Sequence, residues 1–192
     1  MKKLLITGFD PFGGESINPS WETVRRLPAQ VGNYVLCKLQ IPTIFGVAAE
    51  AVLSAAADFQ PDAILCIGQA GGRSSVTPER IAVNIRDARI PDNTGNQPCG
   101  EPIVPNGPAA YFATLSPVAM RDAILAAGID ATVSNSAGAF VCNDTLYTLL
   151  HHFDGTNVRV GFIHIPYLPE QGSPSLPFED TIAALNAAIS AI

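Results

Sequence analysis

Cys142 is the side chain of this sequence best placed for nucleophilic chemistry. It lies in the run Ser134-Asn-Ser-Ala-Gly-Ala-Phe-Val-Cys142-Asn143, where small and polar residues precede an amphipathic segment. This pattern predicts a turn and then a helix that begins near the cysteine. Free backbone N–H groups and the positive end of a helix dipole stabilise a thiolate, so we expect the Cys142 pKa to lie below the free-thiol value of about 8.5. Such a thiolate can attack a carbonyl carbon.

The base for this thiol is predicted to be His164. His151 and His152 follow Cys142 on the same predicted helix, and at about 1.5 Å per residue they lie roughly 14 Å away along its axis. They are too distant to act on the sulfur, and a favourable interaction with the helix C-terminus explains them. His164 interrupts the apolar run Gly161–Pro166 near the end of the next predicted strand, where an imidazole needs a polar partner. A hydrogen-bonded core histidine is the alternative that this pattern leaves open.

The three other cysteines are weaker candidates for a nucleophile. Cys37 and Cys66 lie within apolar strand-like runs, which is typical of small core residues. Cys99 lies in the loop-like sequence Gln97–Gly100, where its thiol would be accessible but would lack a helix start to ionise it. It remains the alternative nucleophile. The wide spacing of the cysteines, without a Cys-x-x-Cys pair, predicts no metal site.

Alternating strand-like and helix-like segments predict an α/β sandwich with a mixed, largely parallel, twisted sheet. The predicted strands are residues 4–6, 35–41, 63–67, 132–133 and 158–165, with 81–85 as a strand or hairpin arm. One predicted helix starts at residues 18–22, and the other predicted helices are 44–59, 116–127, 143–153 and a segment from 179 onward. In such sheets, ligand-binding groups gather at the carboxyl ends of the strands. We therefore expect Cys142, His164 and the turns Gly8–Gly14 and Gln69–Arg73 to share one edge.

Composition predicts one folded domain, residues 1–192, and excludes several classes of protein. Hydrophobic residues make up 47% of the chain and charged residues 15%, which argues against disorder and favours a homo-oligomer with part of its surface buried. The net charge of −6 and scattered Lys and Arg leave no basic stripe for nucleic acid. No apolar stretch suits a signal peptide or a bilayer span, so we expect a cytoplasmic protein with reduced cysteines and no membrane partner.

Two glycine-rich turns, Gly8–Gly14 and Gln69–Gly72, permit a second interpretation. The first lacks the Lys and Ser/Thr of a P-loop, and Pro11 and Phe12 stand where backbone amides would bind phosphate. Phe9 and Phe12 can instead offer aromatic faces to a small neutral ligand, or they can anchor the loop on the core. These turns leave a noncatalytic small-molecule or nucleotide-binding module as the alternative function.

Several motifs follow one another over nearly the whole chain. They are Gly8-Phe-Asp-Pro-Phe-Gly-Gly14, Asn18-Pro-Ser-Trp21, Gly68-Gln-Ala-Gly-Gly72, Glu79-Arg-Ile-Ala-Val-Asn84, Asp92-Asn-Thr-Gly-Asn-Gln-Pro98, Ser134-Asn-Ser-Ala-Gly138, Cys142-Asn143 and His164-Ile-Pro-Tyr167. Together they resemble the pyroglutamyl peptidase I family, also called pyrrolidone carboxyl peptidases; only the connection at residues 154–157 looks short for the family. The resemblance implies a three-layer α/β/α sandwich and a cytoplasmic cysteine peptidase, usually a tetramer, that removes N-terminal pyroglutamyl residues from peptides without a metal or cofactor.

The resemblance also implies roles for the catalytic candidates. By match to the family motifs, Cys142 is the nucleophile, His164 is the general acid/base and Glu79 is the carboxylate that orients the imidazole. The residues alone leave this carboxylate open between Glu79, Asp10 and Asp92. On that basis a surface ion pair with the neighbouring arginine is the simpler explanation of Glu79.

The same resemblance implies how a pyroglutamyl group is bound. Phe9 and Phe12 would enclose the lactam ring. Gln69 would bind it through its backbone or side-chain amide, and Arg89 would assist near the oxyanion. An uncharged lactam fits this set because it needs apolar contacts and a few hydrogen bonds.

Overall fold

The structure is a computed structural model that describes all residues, Met1–Ile192, and it contains eight strands and five helices. The strands are β1 (Lys2–Phe9), β2 (Gln30–Val31), β3 (Tyr34–Ile41), β4 (Ala63–Gln69), β5 (Thr77–Pro78), β6 (Ile81–Val83), β7 (Ala110–Phe112) and β8 (Arg159–Ile165). The helices are α1 (Pro19–Val24), α2 (Val47–Phe59), α3 (Pro117–Ala126), α4 (Val141–His152) and α5 (Phe178–Ser190). Six strands form the main sheet, and β6 and β7 form a separate antiparallel pair.

The main sheet has the order β2-β3-β1-β4-β8-β5. Its four long strands, β3, β1, β4 and β8, run parallel, while the two-residue strands β2 and β5 pair antiparallel at the two edges. Gly8 of β1 is paired with Ile67 of β4, and Gly68 of β4 is paired with His164 of β8. The carboxyl ends of β1, β4 and β8 therefore meet at one edge, as predicted.

Helices cover both faces of this sheet. Leu4 and Ile6 of β1 pack in one apolar cluster with side chains of α1, α3 and α5. Leu5 of the same strand packs in the other cluster with side chains of α2 and α4. Burial on both faces explains why the central strands are continuously apolar rather than alternating. The three-layer α/β/α arrangement is confirmed.

Two helix starts show why the sequence places the helices correctly. The side chain of Asn18 accepts a hydrogen bond from the Ser20 N–H at 3.1 Å, and Pro19 occupies the first position of α1. Ser116 caps α3 in the same way, accepting from the Ala119 N–H at 3.2 Å. A cap followed by proline is a strong local signal for a helix start. None of the five helices is long and apolar enough to cross a membrane.

Two sequence predictions are wrong in detail. Residues 132–133 do not form a strand; the surrounding segment makes only isolated bridges, Val76 to Ala131 and Glu79 to Ser134. The edge position is taken by β5 instead, which pairs with β8 and contains Pro78, a residue that edge strands tolerate. The second helix begins at Val47 rather than 44, because Gly46 precedes it with a φ of 76°.

Candidate active site

Cys142 is the second residue of α4, as predicted from the turn that precedes it. The start of this helix lies close to the end of β4. A Cβ atom built on Gly68 would lie 3.0 Å from the Cys142 Sγ and 2.8 Å from the Phe162 ring. Glycine at position 68 is therefore what allows the thiol to approach the carboxyl edge of the sheet.

Asn143, the next residue, attaches the start of α4 to the separate strand pair. Its amide nitrogen donates to the carbonyls of Val83 and Ile85 at 2.9 and 3.1 Å, and its amide oxygen accepts from the Val83 N–H at 2.9 Å. The side chain is fully buried. These three hydrogen bonds fix the position of the cysteine relative to β6.

His164 and Glu79 form a buried pair beside this thiol. The His164 Nδ1 lies 2.7 Å from the Glu79 Oε1, and the Arg73 Nη1 donates to the same oxygen at 2.6 Å. Glu79 is fully buried and His164 is 5% exposed. The short edge strand β5 leads directly into Glu79, which explains why strand periodicity gave no sign of it. The structure thus brings His164 and Glu79 together and places Cys142 in the same cavity as the imidazole.

The other two carboxylates that the sequence left open lie elsewhere and hold loops. Asp10 accepts hydrogen bonds from the Thr43 N–H at 2.7 Å and from the Asn93 Nδ2 at 3.1 Å. Asp92 accepts from three backbone N–H groups, those of Phe45, Thr94 and Asn96. Neither carboxylate bonds to His164; both hold residues 92–96 against the loop that follows β3.

The electrostatic environment of Cys142 differs from the prediction. Burial raises the pKa of its thiol above the ordinary value, the negative charge of Glu79 raises it further and the Cys66 thiol adds to this, while Arg73 and the backbone N–H of Cys142 lower it. The expected lowering by the helix start is therefore wrong, because desolvation of a thiolate outweighs the dipole here. The resting group is a neutral thiol, and a thiolate requires transfer of its proton to a base.

Glu79 shows the opposite balance. Burial alone would raise the pKa of its carboxyl group, but the hydrogen bond and the charge of His164, with a hydrogen bond from Arg73, lower the pKa below its ordinary value. Glu79 is consequently an ionised carboxylate next to the imidazole. Its second oxygen, Oε2, is buried and has no hydrogen-bond partner, whereas His164 and Arg73 both bond to Oε1.

A cavity of about 490 Å³ opens beside the thiol, a size typical of small-molecule sites. Six of the seven site residues expected from the sequence line it: Phe9, Phe12, Gln69, Arg89, Cys142 and His164. Glu79, the seventh, lies behind His164 and outside the lining. Sequence reasoning missed further lining residues, namely Arg73, Ile90, Phe140 and Tyr167.

Aromatic side chains form one wall of this cavity. Phe12 and Phe140 lie with ring centroids 6.0 Å apart, and Phe140 meets Phe45 edge-on at 5.3 Å. Phe9 is 2% exposed and packs against Phe162, so most of its ring belongs to the core. The signal for Phe140 was its position two residues before Cys142. A residue that immediately precedes a helix start must lie near whatever the helix start contacts.

The glycine turn after β1 has a packing explanation. A Cβ atom on Gly8 would lie 2.6 Å from the backbone of Trp21, so glycine allows α1 to pack closely on the strand. No group of three or more His, Cys, Asp or Glu side chains lies close enough together to hold a metal ion.

Comparison with known proteins identifies the family of this chain. The family model described as pyroglutamyl peptidase matches residues 2–192. The chain belongs to the pyroglutamyl peptidase family. A pyrrolidone-carboxylate peptidase from Levilactobacillus brevis is 53% identical over 197 residues, which cover 99% of this chain and 97% of that protein.

Solved structures of pyroglutamyl peptidase family members show the same fold. Pyroglutamyl peptidase I from Bacillus amyloliquefaciens superposes with a TM-score of 0.96 at 47% identity, covering 100% of this chain and 96% of that one. Pyrrolidone carboxyl peptidase from Thermococcus litoralis superposes with a TM-score of 0.94 at 38% identity, covering 100% and 93%. The resemblance predicted from the motifs is thus confirmed, and the noncatalytic binding module is not favoured.

Proposed function

We propose that this protein is a cysteine exopeptidase that removes N-terminal pyroglutamyl residues from peptides. The observation that carries the proposal is the 2.7 Å hydrogen bond between His164 Nδ1 and the buried Glu79, beside the cavity that Cys142 and His164 share. A nucleophile, a base and a group that orients the base are the parts that acyl transfer requires. Family membership supports the same reaction.

Glu79 determines which nitrogen of His164 is basic. An ionised carboxylate accepts only, so Nδ1 carries the proton in the hydrogen bond and Nε2 is left as the acceptor. Burial keeps Cys142 as a neutral thiol, and Nε2 takes its proton as the sulfur attacks. The imidazolium that forms is stabilised by the Glu79 charge.

The reaction then follows in two halves. The Cys142 sulfur bonds to the carbonyl carbon that joins pyroglutamate to the next residue, outside the lactam ring. The C–N bond to the next residue breaks as His164 protonates the departing amine. Water, deprotonated by His164, attacks the thioester; the S–C bond breaks, and pyroglutamate and the free thiol are released. Backbone N–H groups at the start of α4, assisted by Arg89, stabilise the oxyanion in both halves.

The cavity suits an uncharged five-membered lactam. Phe12 and Phe140 supply apolar surface, with the exposed edge of Phe9 beside them. Gln69 supplies an amide for the polar atoms of the ring. A neutral ring needs contacts of this kind rather than a charged partner.

We further propose a single domain that works in the cytoplasm as a homo-oligomer, a tetramer as the family resemblance implies. All four cysteines are free thiols, which fits a reducing compartment. Phe112 exposes 69% of its surface and Leu125 exposes 46%, which fits burial of apolar surface between subunits. Light scattering on the eluted protein measures the subunit number, and a monomer at micromolar concentration would contradict the oligomer.

Release of a fluorescent aminocoumarin from its pyroglutamyl, prolyl and glutamyl amides tests the function. The reduced wild-type protein is expected to cleave only the pyroglutamyl amide, because only this compound presents a neutral lactam. Equal cleavage of the prolyl amide would contradict lactam specificity. Absence of cleavage by folded protein would overturn the peptidase, and melting shifts with a panel of nucleotides would then test the binding module.

A further inference from the structure

A pair of glutamines connects the cavity to the loop that follows β8. The Gln171 Nε2 donates a hydrogen bond to the Gln69 Oε1 at 3.1 Å, and the Gln171 Oε1 accepts from the Leu168 N–H at 3.1 Å. Gln69 lines the cavity, whereas Gln171 does not. Gln171 therefore reaches the ligand site only through Gln69.

The direction of these hydrogen bonds is set by the backbone. The Leu168 N–H can only donate, so the group of Gln171 that faces it is the carbonyl oxygen. The amide nitrogen of Gln171 then faces Gln69, and a donor there requires the Gln69 carbonyl oxygen as its partner. The Gln69 nitrogen has no acceptor within the protein, since its oxygen makes the only hydrogen bond of that side chain. Its N–H groups are what the side chain has left for a ligand.

No other amide side chain of the cavity is free to do this. Asn18 is the second amide in the lining, but its oxygen accepts from the N–H and the hydroxyl of Ser20, and its nitrogen donates to the Asp10 carbonyl. Both ends of Asn18 are thus occupied. Gln69 is the one amide that can present N–H groups to the bound ring.

We propose that Gln171 is a positioning residue that holds the Gln69 side chain as a hydrogen-bond donor for the lactam carbonyl, and so helps the site distinguish pyroglutamyl from prolyl groups. The inference rests on the proposed function. A prolyl ring lacks this carbonyl, so the fixed Gln69 N–H groups would be left unpaired when it binds. A site with fixed polar groups discriminates strongly against analogues that leave them unpaired.

Gln171→Glu and Gln171→Met separate this role from simple anchoring of the loop. A carboxylate at 171 keeps its acceptor for the Leu168 N–H but cannot donate, so Gln69 turns its nitrogen toward residue 171 and its oxygen toward the ligand carbonyl. Gln171→Met only releases Gln69. A free-energy change of about 1.4 kcal/mol corresponds to a tenfold change in affinity. Loss of one hydrogen bond therefore predicts a rise in KM of about two- to fivefold in Q171M. In Q171E the Gln69 oxygen faces the ligand oxygen, and this pair of acceptors predicts a rise of at least about tenfold, with kcat nearly unchanged in both variants.

A double-mutant cycle gives the sharpest test of action through Gln69. If Gln171 acts only through that side chain, the Q69M/Q171M double variant should have the same KM for the pyroglutamyl amide as Q69M alone. Independent, multiplying effects of the two substitutions would overturn the proposal. A KM for Q171E no higher than that for Q171M would also overturn it, because loop anchoring predicts that Q171M is the worse variant.

Binding of 2-pyrrolidone, the bare lactam, separates failure of this inference from failure of the proposed function. Its affinity is measured by calorimetry and does not depend on turnover, so the expected order of affinity is wild type, Q171M and then Q171E. If wild-type protein binds the lactam but does not cleave the amide, the proposed peptidase function is contradicted. The order of lactam affinities then still tests the role of Gln171. Melting curves check folding; if Q171E does not fold, the Q69M/Q171M cycle decides. Equal lactam affinity in all folded variants would overturn the proposal.

Discussion

At Cys142, burial and the helix start act in opposite directions on the thiol. Burial raises the pKa of Cys142, the first turn of α4 provides backbone N–H groups, and the ionised Glu79 adds a further upward contribution. Desolvation dominates because an unpaired anion loses more solvation than a helix terminus returns. The proposed proton transfer to His164 removes this conflict, since a thiolate beside an imidazolium is a paired charge.

Arg73 is expected to tune this pair through Glu79. Its Nη1 donates to the Glu79 Oε1 at 2.6 Å, and its charge opposes the rise in the Cys142 pKa. In Arg73→Gln, the Glu79 pKa is less depressed, so the carboxylate is lost at a higher pH. We expect the acidic limb of kcat/KM to move to higher pH and the value at neutral pH to fall about tenfold, with Arg73→Lys intermediate.

The pH dependence of pyroglutamyl amide hydrolysis measures this shift. Arg121→Gln is the matched control. Arg121 lies on α3 and pairs with the exposed Asp122, so its replacement should leave the pH profile unchanged. An acidic limb in Arg73→Gln that coincides with the wild-type limb would show that Arg73 does not act on Glu79.

Single residues were predictable from sequence only where a local pattern stood behind them. The turn before Cys142 and the lone polar residue His164 in an apolar strand could be recognised from neighbours in the chain. Glu79 could not be chosen over Asp10 or Asp92, because its partner is 85 residues away and its burial depends on the tertiary fold. The prediction of a lowered Cys142 pKa was wrong for the same reason, since the side chains that desolvate the thiol are distant in the sequence.

Among the elements, strong local signals gave the long strands and the capped helices. Asn18-Pro19 and Ser116-Pro117 start helices in the structure as they do in the sequence pattern. The two-residue strands β2 and β5 contain too few residues for any periodicity, and only their pairing with β3 and β8 defines them. The predicted strand at 132–133 failed because β-branched residues favour extended backbone without providing a partner.

The attachment of α4 to β6 through Asn143 is expected to matter for stability. Asn143→Ala removes three hydrogen bonds and leaves the Val83 N–H and the Ile85 carbonyl unpaired, whereas the Val83 carbonyl still accepts from the Ile85 N–H. We expect the free energy of unfolding to fall by about 2–4 kcal/mol, as measured by urea denaturation. Asn157→Ala, at an exposed position with no side-chain hydrogen bond, is the control and should change it by less than about 0.5 kcal/mol. A loss in Asn143→Ala no larger than the control would contradict this role.

The close approach of α4 to β4 is expected to depend on Gly68. In Gly68→Ala the new methyl group would lie 2.8 Å from the Phe162 ring and 3.0 Å from the Cys142 Sγ, so one of them must move. Overpacking of this kind costs about 1–3 kcal/mol of stability. We expect kcat for the pyroglutamyl amide to fall by more than tenfold, since displacement of a nucleophile by about 1 Å has effects of this size. A folded Gly68→Ala variant with wild-type kcat would contradict the placement of the thiol.

For the whole molecule, ionised carboxylates predict loss of stability in acid. The pKa values of Glu22, Glu79 and Asp92 are all lowered: burial opposes the shift in each, and hydrogen bonds from arginine, histidine or N–H and hydroxyl groups outweigh it. A carboxyl group whose pKa is lower in the folded state stabilises the fold at every pH above its unfolded-state pKa, which is about 4 for these groups. That stabilisation is lost as the pH falls from the unfolded-state pKa through the folded-state pKa.

Urea denaturation between pH 7 and pH 3 tests this expectation. The free energy of unfolding should be nearly constant down to about pH 5 and should then fall. Asp92→Asn, which retains an oxygen acceptor but cannot titrate, should have lower stability at pH 7 and a shallower loss in acid. Parallel curves for wild type and Asp92→Asn would show that Asp92 does not contribute to the acid transition.

The most direct test of the whole account is the hydrolysis of pyroglutamyl aminocoumarin amide by wild type and Cys142→Ala, with Cys99→Ala as the matched control. Cys99 is exposed, so its replacement should leave the rate unchanged. Cys142→Ala should fold, melt near the wild-type temperature and show no detectable turnover, because the thioester cannot form. Substantial activity in folded Cys142→Ala, or its loss in Cys99→Ala instead, would contradict the assignment of Cys142 as the nucleophile.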